Sequence, residues 1–144
     1  MYSTLLWATD GSDDADLALG EALRLLDPRG RLIAYHCDQR FLGGRASGVP
    51  VLADENDRRA HIRKQIEELV VSGIDAELHV ETTHRSPAHE IAAAAHELGA
   101  EVIVCGTRGL GGLQGALLGS VSRELLHYAH VPVLVVPAPV SAAV

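Results

Sequence analysis

Short apolar segments alternate with segments of helical periodicity along most of this chain, and this alternation restricts the fold more than any other feature. The segments predicted as strands are residues 5–8, 31–37, 76–81, 101–105 and 133–136. Between them, apolar residues recur at three- and four-residue steps, the period of a helix. Strands that alternate with helices form a parallel sheet, and right-handed crossovers place helices on both of its faces. The predicted fold class is therefore α/β.

Polar and turn-forming residues set the expected ends of the helices. Ser12 is a favourable N-cap for the first helix, and Pro28 with Gly30 should end it. Ser86 precedes Pro87, a proline at the first helical position, so a later helix should begin there. These signals support the same order of strands and helices.

The connection after the second strand is predicted to be unusually long. Residues 38–53 are rich in glycine and have little periodicity, so we expect a loop that acts as a mobile flap. A helix should follow from Asp54 to Ser72. Its charged start, Asp54–His61, is typical of a solvated helix face with i,i+4 pairs such as Asp54–Arg58.

A glycine-rich loop at residues 106–119 joins an apolar strand to a helix that begins near Ser120. Glycines let a backbone approach a ligand, and a helix N-terminus favours phosphate. If strands one and four are neighbours, the turn around Asp10 faces the same crevice. The loop is no P-loop, and Gln114 stands where a dinucleotide fingerprint needs its third glycine. A plain connector with a helix cap, and an Asp10 that only caps its own turn, remain the structural alternatives.

Composition narrows the classes of function. A length of 144 residues indicates one domain, and a net charge of −7 without a basic run argues against a nucleic-acid partner. We see no signal peptide, and no apolar run approaches the roughly 20 residues of a membrane span, so a cytoplasmic protein without a membrane partner is expected.

Cysteines, histidines and serines give weaker signals. If strands two and four both flank strand one, Cys37 and Cys105 lie about 9–10 Å apart, too far for a disulfide, and are expected to be small apolar wall residues. No nucleophile is assigned, because Ser120 lacks an identifiable base; Ser120 is expected instead to cap the last helix and to touch phosphate. The histidine pairs lack strong metal-ligand spacing, so surface or capping histidines are expected, among them His89, His96, His127 and His130.

The glycine motif resembles that of the nucleotide-binding branch of the universal stress protein family, and the match covers nearly the whole chain. That motif reads Gly, two residues, Gly, nine residues, Gly, then Ser or Thr, which here is Gly106, Gly109, Gly119 and Ser120. The Asp-Gly-Ser turn after strand one, His36, and the closing Val-Pro-Val-Leu-Val-Val-Pro also agree.

The resemblance implies a five-stranded parallel sheet of order 3-2-1-4-5 over residues 1–137. It also implies a site for ATP and a homodimer formed through the last strand, Val133–Val136. Residues 138–144 are expected to form a tail, and any metal is expected to be Mg²⁺ held by the phosphates of the ligand. Arg108 is included for its charge. The implied nucleotide-binding residues are Ala8, Thr9, Asp10, Cys37, Cys105, Gly106, Arg108, Gly109, Gly119, Ser120 and Val121.

Several functions are compatible with this resemblance. The first is an ATP-binding sensor or regulator in stress adaptation, which acts by a nucleotide-dependent population shift. Another is a slow ATPase or autophosphorylating protein, although no catalytic residue is assigned. A third is an interaction module without nucleotide, which the intact glycine motif disfavours. The ligand itself remains open between ATP, cyclic AMP and another adenosine compound.

Overall fold

The computed structural model describes residues 1–39, 51–107 and 118–138. The strands are β1 (Tyr2–Ala8), β2 (Leu26–Gln39), β3 (Asp75–Thr83), β4 (Val102–Gly106) and β5 (Val133–Val136). The helices are α1 (Asp13–Leu25), α2 (Val51–Val71), α3 (Pro87–Glu97) and α4 (Ser120–Tyr128). The five strands form one parallel sheet in the order β3-β2-β1-β4-β5, which confirms the predicted fold class and strand order.

Each face of the sheet has its own apolar core because successive side chains of a strand point to opposite faces. On one face, Leu5 and Trp7 of β1 pack with buried residues of α1 and α2, such as Ala18 and Ile62. On the other face, Leu6 packs with residues of α3 and α4. The central strands are buried on both sides, which explains why they are continuously apolar in the sequence.

The first helix starts where it was predicted and ends earlier. The Ser12 hydroxyl accepts a hydrogen bond from the Ala15 N–H at 3.3 Å, so it is the N-cap as expected. The helix ends at Leu25, and β2 begins at once, before Pro28. Proline disfavours helical geometry in the residue before it and cannot donate to a strand ladder. The pairing of β1 with β2 is accordingly irregular around this proline, between Tyr2 and Thr4 of β1.

The predicted loop 38–53 is wrong at both of its ends. Strand β2 continues to Gln39, and α2 already begins at Val51. The strand is longer because Asp38 and Gln39 pair with Thr82 and Thr83 of β3, which itself exceeds its predicted length. The expected flap therefore reduces to residues 40–50, which lie outside the described residues.

Candidate functional site

Strands β1 and β4 are neighbours at the centre of the sheet, as the crevice hypothesis required. Their register pairs Leu5 with Val102 and Trp7 with Val104. Both strands run in the same direction, so the turn after Ala8 and the loop after Gly106 leave the sheet at the same edge. The strand order reverses direction between β1 and β4, and ligands of such sheets bind outside the carboxyl ends of the strands at this point.

Three of the predicted site residues share one face of the sheet at this edge. Ala8 and Cys105 are buried in the core under α3 and α4, and the half-buried Cys37 packs against that core. Both cysteines are free thiols, as expected. Burial raises the pKa of the Cys105 thiol to about 12. Burial and the nearby charges of Glu90, Asp38 and Glu81 also raise the pKa of Cys37 to about 12. Neither thiol is ionised near neutral pH, so both side chains are small and uncharged there.

The turn after β1 is held by a dense set of hydrogen bonds. The Thr9 N–H donates to the Tyr35 carbonyl at 3.0 Å, and its hydroxyl accepts from the Gly11 N–H at 3.1 Å. An Asp10 carboxylate oxygen accepts from the Ser12 N–H at 2.9 Å. Asp10 therefore caps its own turn, the structural role that the sequence had left open, and the backbone of Thr9 is bound to β2.

Gly106 has a packing role that the motif alone does not reveal. A Cβ at this position would lie 2.8 Å from the Asp14 carbonyl oxygen and 2.9 Å from the carbonyl carbon. The first turn of α1 thus rests directly against the end of β4. Glycine is needed here for the close approach of two backbones, whatever else the residue contacts.

The two ends of the glycine loop are joined at the start of α4. The Thr107 carbonyl accepts from the Gly119 N–H at 2.5 Å and from the Ser122 hydroxyl at 3.1 Å. Ser122 is buried, whereas Ser120 is exposed. The N-cap is Gly119, so the expectation that Ser120 caps the helix is wrong; Ser120 is its first residue.

The first N–H groups of a helix have no partner within the helix, so those of Ser120 and Val121 can serve an anion at this edge. The Gly119 N–H is already used by Thr107. Arg108 and Gly109, the other predicted phosphate contacts, lie outside the described residues.

A buried charged cluster next to the β1 turn was missed by the sequence reasoning. Glu55, in the segment predicted to be a solvated helix face, is only 4% exposed, and His36 is 2% exposed. His36 Nε2 lies 2.6 Å from a Glu55 carboxylate oxygen. Arg58, expected to pair with Asp54, donates to Glu55 at 2.9 Å, and Arg59 does so at 2.8 Å.

We call His36, Glu55, Arg58 and Arg59 the Glu55 cluster. Burial by itself raises the pKa of the Glu55 carboxyl, but the hydrogen bonds from His36, Arg59 and Arg58 outweigh it, and the net pKa is lowered. The carboxylate is therefore ionised at neutral pH and compensated by its neighbours. The expectation of surface or capping histidines is wrong at His36, while the exposed histidines conform to it, namely His89, His96, His127 and His130.

The Glu55 cluster could not be inferred from sequence because a charged residue at the start of a helix normally faces water. Only His36 gave a signal, as a feature shared with the resembled family. Its partner Glu55 is brought to His36 only by the packing of α2 against β2. Gly11 in the β1 turn also lies close to α2, since a Cβ at this position would lie 2.9 Å from Arg58 Cβ.

Among residues 1–39, 51–107 and 118–138, no three histidine, cysteine or acidic side chains converge as a set of metal ligands. No helix in that part of the chain has both the length and the apolar character needed to cross a membrane.

The fold and the crevice define a doubly wound parallel α/β domain with a candidate ligand site at the switch point of its sheet. The model of the universal stress protein family matches residues 1–137. The universal stress protein MJ0531 of Methanocaldococcus jannaschii is 33% identical, with 96% of this chain and 84% of the relative covered. YxiE, a universal stress protein of Bacillus subtilis, is 30% identical, with 94% of this chain and 99% of the relative covered. This chain belongs to the universal stress protein family.

A solved universal stress protein in complex with cAMP has the same fold. It is 27% identical to this chain, with a TM-score of 0.68, and the likeness covers 94% of this chain and 97% of the other. A member of the family with this degree of similarity thus binds an adenine nucleotide.

Proposed function

We propose that this chain binds ATP in the crevice between the β1 turn and the glycine loop, and that it acts as a nucleotide-dependent regulator in stress adaptation. The observation that carries the proposal is the meeting of two loops distant in sequence at one edge of the sheet, through the pairing of Trp7 with Val104. The ends of β1, β2 and β4 offer a small apolar wall, and the second loop leads into the N-terminus of α4. Together they suit an adenosine with a phosphate chain.

The proposed contacts follow from the two halves of the crevice. Ala8, Cys37 and Cys105 share a face and would line the adenosine. Thr9, Asp10 and Gly106 would border the ribose. The remaining residues would meet the phosphates, which would carry Mg²⁺, and these are Arg108, Gly109, Gly119, Ser120 and Val121.

Ser120→Glu tests the phosphate end of this arrangement. Ser120 is exposed at the first position of α4, where a carboxylate favours the helix dipole, so the stability of the fold should be kept or raised. The same charge would repel phosphates. We expect calorimetric titration with ATP and Mg²⁺ to show at least tenfold weaker binding to Ser120→Glu, and affinity close to wild type for the neutral control Ser120→Gln.

Two outcomes would contradict the proposal. If Ser120→Glu and wild type bound ATP with equal affinity, the phosphates would not lie at the N-terminus of α4. Absence of binding of ATP, AMP and cyclic AMP to the wild type would exclude adenine nucleotides altogether. Tighter binding of cyclic AMP than of ATP would favour the second candidate, a cyclic nucleotide receptor, which the cAMP complex of the related protein supports.

We further propose a cytoplasmic homodimer of the domain 1–137, with residues 138–144 as a tail. Strand β5 lies at an edge of the sheet, where a second copy can add its own β5. Leu134 on this strand is 36% exposed. Sedimentation should show a dimer for the wild type and a monomer for Leu134→Lys, since a charge at a strand edge opposes pairing. A monomeric wild type would refute this assembly.

A further inference from the structure

The carbonyl group of Thr9 is fixed by a side chain from the neighbouring strand. It lies 2.9 Å from His36 Nδ1, while the Thr9 N–H donates to the Tyr35 carbonyl of the same strand β2. A carbonyl oxygen can only accept, so His36 Nδ1 must carry a hydrogen. Both backbone groups at the end of β1 are thus bound to β2, one of them through the imidazole.

The imidazole is itself oriented by α2. Its Nε2 atom faces the Glu55 carboxylate at 2.6 Å, so the ring is held between one acceptor on the β1 turn and another on the helix. Arg58 and Arg59 fix the same carboxylate at 2.9 and 2.8 Å. Because the ring is 2% exposed, water cannot readily replace either contact. Its orientation therefore depends on where α2 lies.

Helix α2 contacts the same region at two more places. The backbone of Gly11 packs against Arg58, at the distance that leaves no room for a Cβ. Further along α2, the Gln65 side-chain amide donates to the Asp16 carboxylate of α1 at 2.9 Å, and His61 Nε2 lies 2.8 Å from the same carboxylate. The contacts at Glu55, Arg58 and His61 follow successive turns of α2. The helix therefore touches the end of β2, the β1 turn and the start of α1 at these positions.

We propose that His36 is a positioning residue of the nucleotide site: held by Glu55, it fixes the Thr9 carbonyl and so sets the turn from Thr9 to Gly11 for adenosine. This inference rests on the proposed nucleotide-binding function. It assigns His36 no contact with the nucleotide.

Two amide variants separate the two contacts of the ring. The side-chain N–H of His36→Asn can replace Nδ1 and keep the bond to Thr9. That of His36→Gln reaches the Nε2 position, so this variant keeps the link to Glu55 and loses the bond to Thr9. We expect His36→Gln to weaken ATP binding about tenfold, and His36→Asn to stay within about threefold of wild type. Urea unfolding of both variants identifies conditions in which they are fully folded.

Amide hydrogen exchange in the nucleotide-free protein tests the positioning without any ligand. The Gly11 and Ser12 N–H groups donate within the turn, to Thr9 Oγ1 and to Asp10. Their exchange should accelerate at least tenfold in His36→Gln, remain close to wild type in His36→Asn, and be unaffected in α3. Equal exchange or equal loss of affinity in the two folded variants would overturn the inference.

The two proposals fail in different ways. If wild type binds no adenine nucleotide, the proposed function fails, and the exchange of Gly11 and Ser12 still decides whether His36 holds the turn. If the turn loosens in His36→Gln while ATP affinity is unchanged, ATP binding survives and the positioning role is wrong. The expected result is faster exchange and weaker ATP binding in His36→Gln, with exchange and binding close to wild type in His36→Asn.

Discussion

Gly106→Ala should destabilise the protein even when no ligand is present. The new Cβ would lie 2.8 Å from the oxygen and 2.9 Å from the carbon of the Asp14 carbonyl group. These are backbone atoms in the first turn of α1, so they cannot move aside by a change of rotamer. Relief requires a shift of α1 against β4, and overpacking of this kind costs about 1–3 kcal/mol of unfolding free energy.

Gly20→Ala is a matched control. Gly20 lies inside α1, and a Cβ there would meet no atom within 4 Å. Alanine in place of glycine stabilises a helix interior by about 0.5–1 kcal/mol. The same chemical change should therefore act in opposite directions at the two sites, and the variants should differ by about 1.5–4 kcal/mol.

Urea unfolding of the nucleotide-free protein, followed by tryptophan fluorescence, measures this difference. Trp7 is the single tryptophan and is completely buried, so its emission reports loss of the core. If Gly106→Ala were as stable as wild type, the contact with Asp14 would not restrict this position. The glycine would then have to be explained by a ligand alone. If Gly106→Ala loses stability as expected, weaker nucleotide binding by this variant cannot be attributed to a lost ligand contact alone, because its packing against α1 is also altered.

Three further predictions concern single side chains. Ser122→Ala removes the hydroxyl that binds the Thr107 carbonyl and should cost about 1 kcal/mol in urea unfolding, whereas Ser120→Ala should cost less than half of that. Glu55 has a lowered folded-state pKa, so its stabilisation is complete above the ordinary value of 4.5 and is lost as the pH falls through the folded pKa. The stability gap between wild type and Glu55→Gln should therefore narrow under acid, and a constant gap would contradict this. Because the pKa of Cys37 rises from 9.0 to about 12, iodoacetamide at pH 8 should modify it at less than about one hundredth of the rate for a free cysteine, and faster modification would refute its apolar setting.

The order of the elements could be predicted because each signal is local. Buried parallel strands read as apolar runs such as Leu5–Ala8, and the hydroxyl of Ser12 acts within its own turn. The strand order came from the family resemblance. The end of β2 was missed since Asp38 and Gln39 are polar and extend only through pairing with β3. The local sequence pattern therefore failed to predict the end of β2, because that end is set by pairing with a strand far along the chain.

The same reason limited the prediction of the site. The sequence predicted that the loops after β1 and β4 leave the sheet together if the two strands are neighbours, and the strands are neighbours. The predicted role of Gly106 was incomplete because Asp14, its close neighbour in space, lies on α1, far from β4 in the sequence. Glu55 was assigned to solvent because its compensating partner, His36, stands on a strand that precedes it by 19 positions. Buried polar pairs of this kind are invisible to periodicity.

The two halves of α2 are held by different forces, and this bears on how a nucleotide would act as a regulator. Its second half is docked by Ile62 and Ile66 in the apolar core. Its first half is docked by Glu55, a charge that is tolerated only with its partners in place, since an unpaired buried charge costs about 3–5 kcal/mol. Under the proposed function, a nucleotide that moves the Thr9 carbonyl moves His36 and disturbs this polar half while the apolar half stays docked. A ligand shifts a conformation only by its differential affinity, and here that difference would arise at one hydrogen bond.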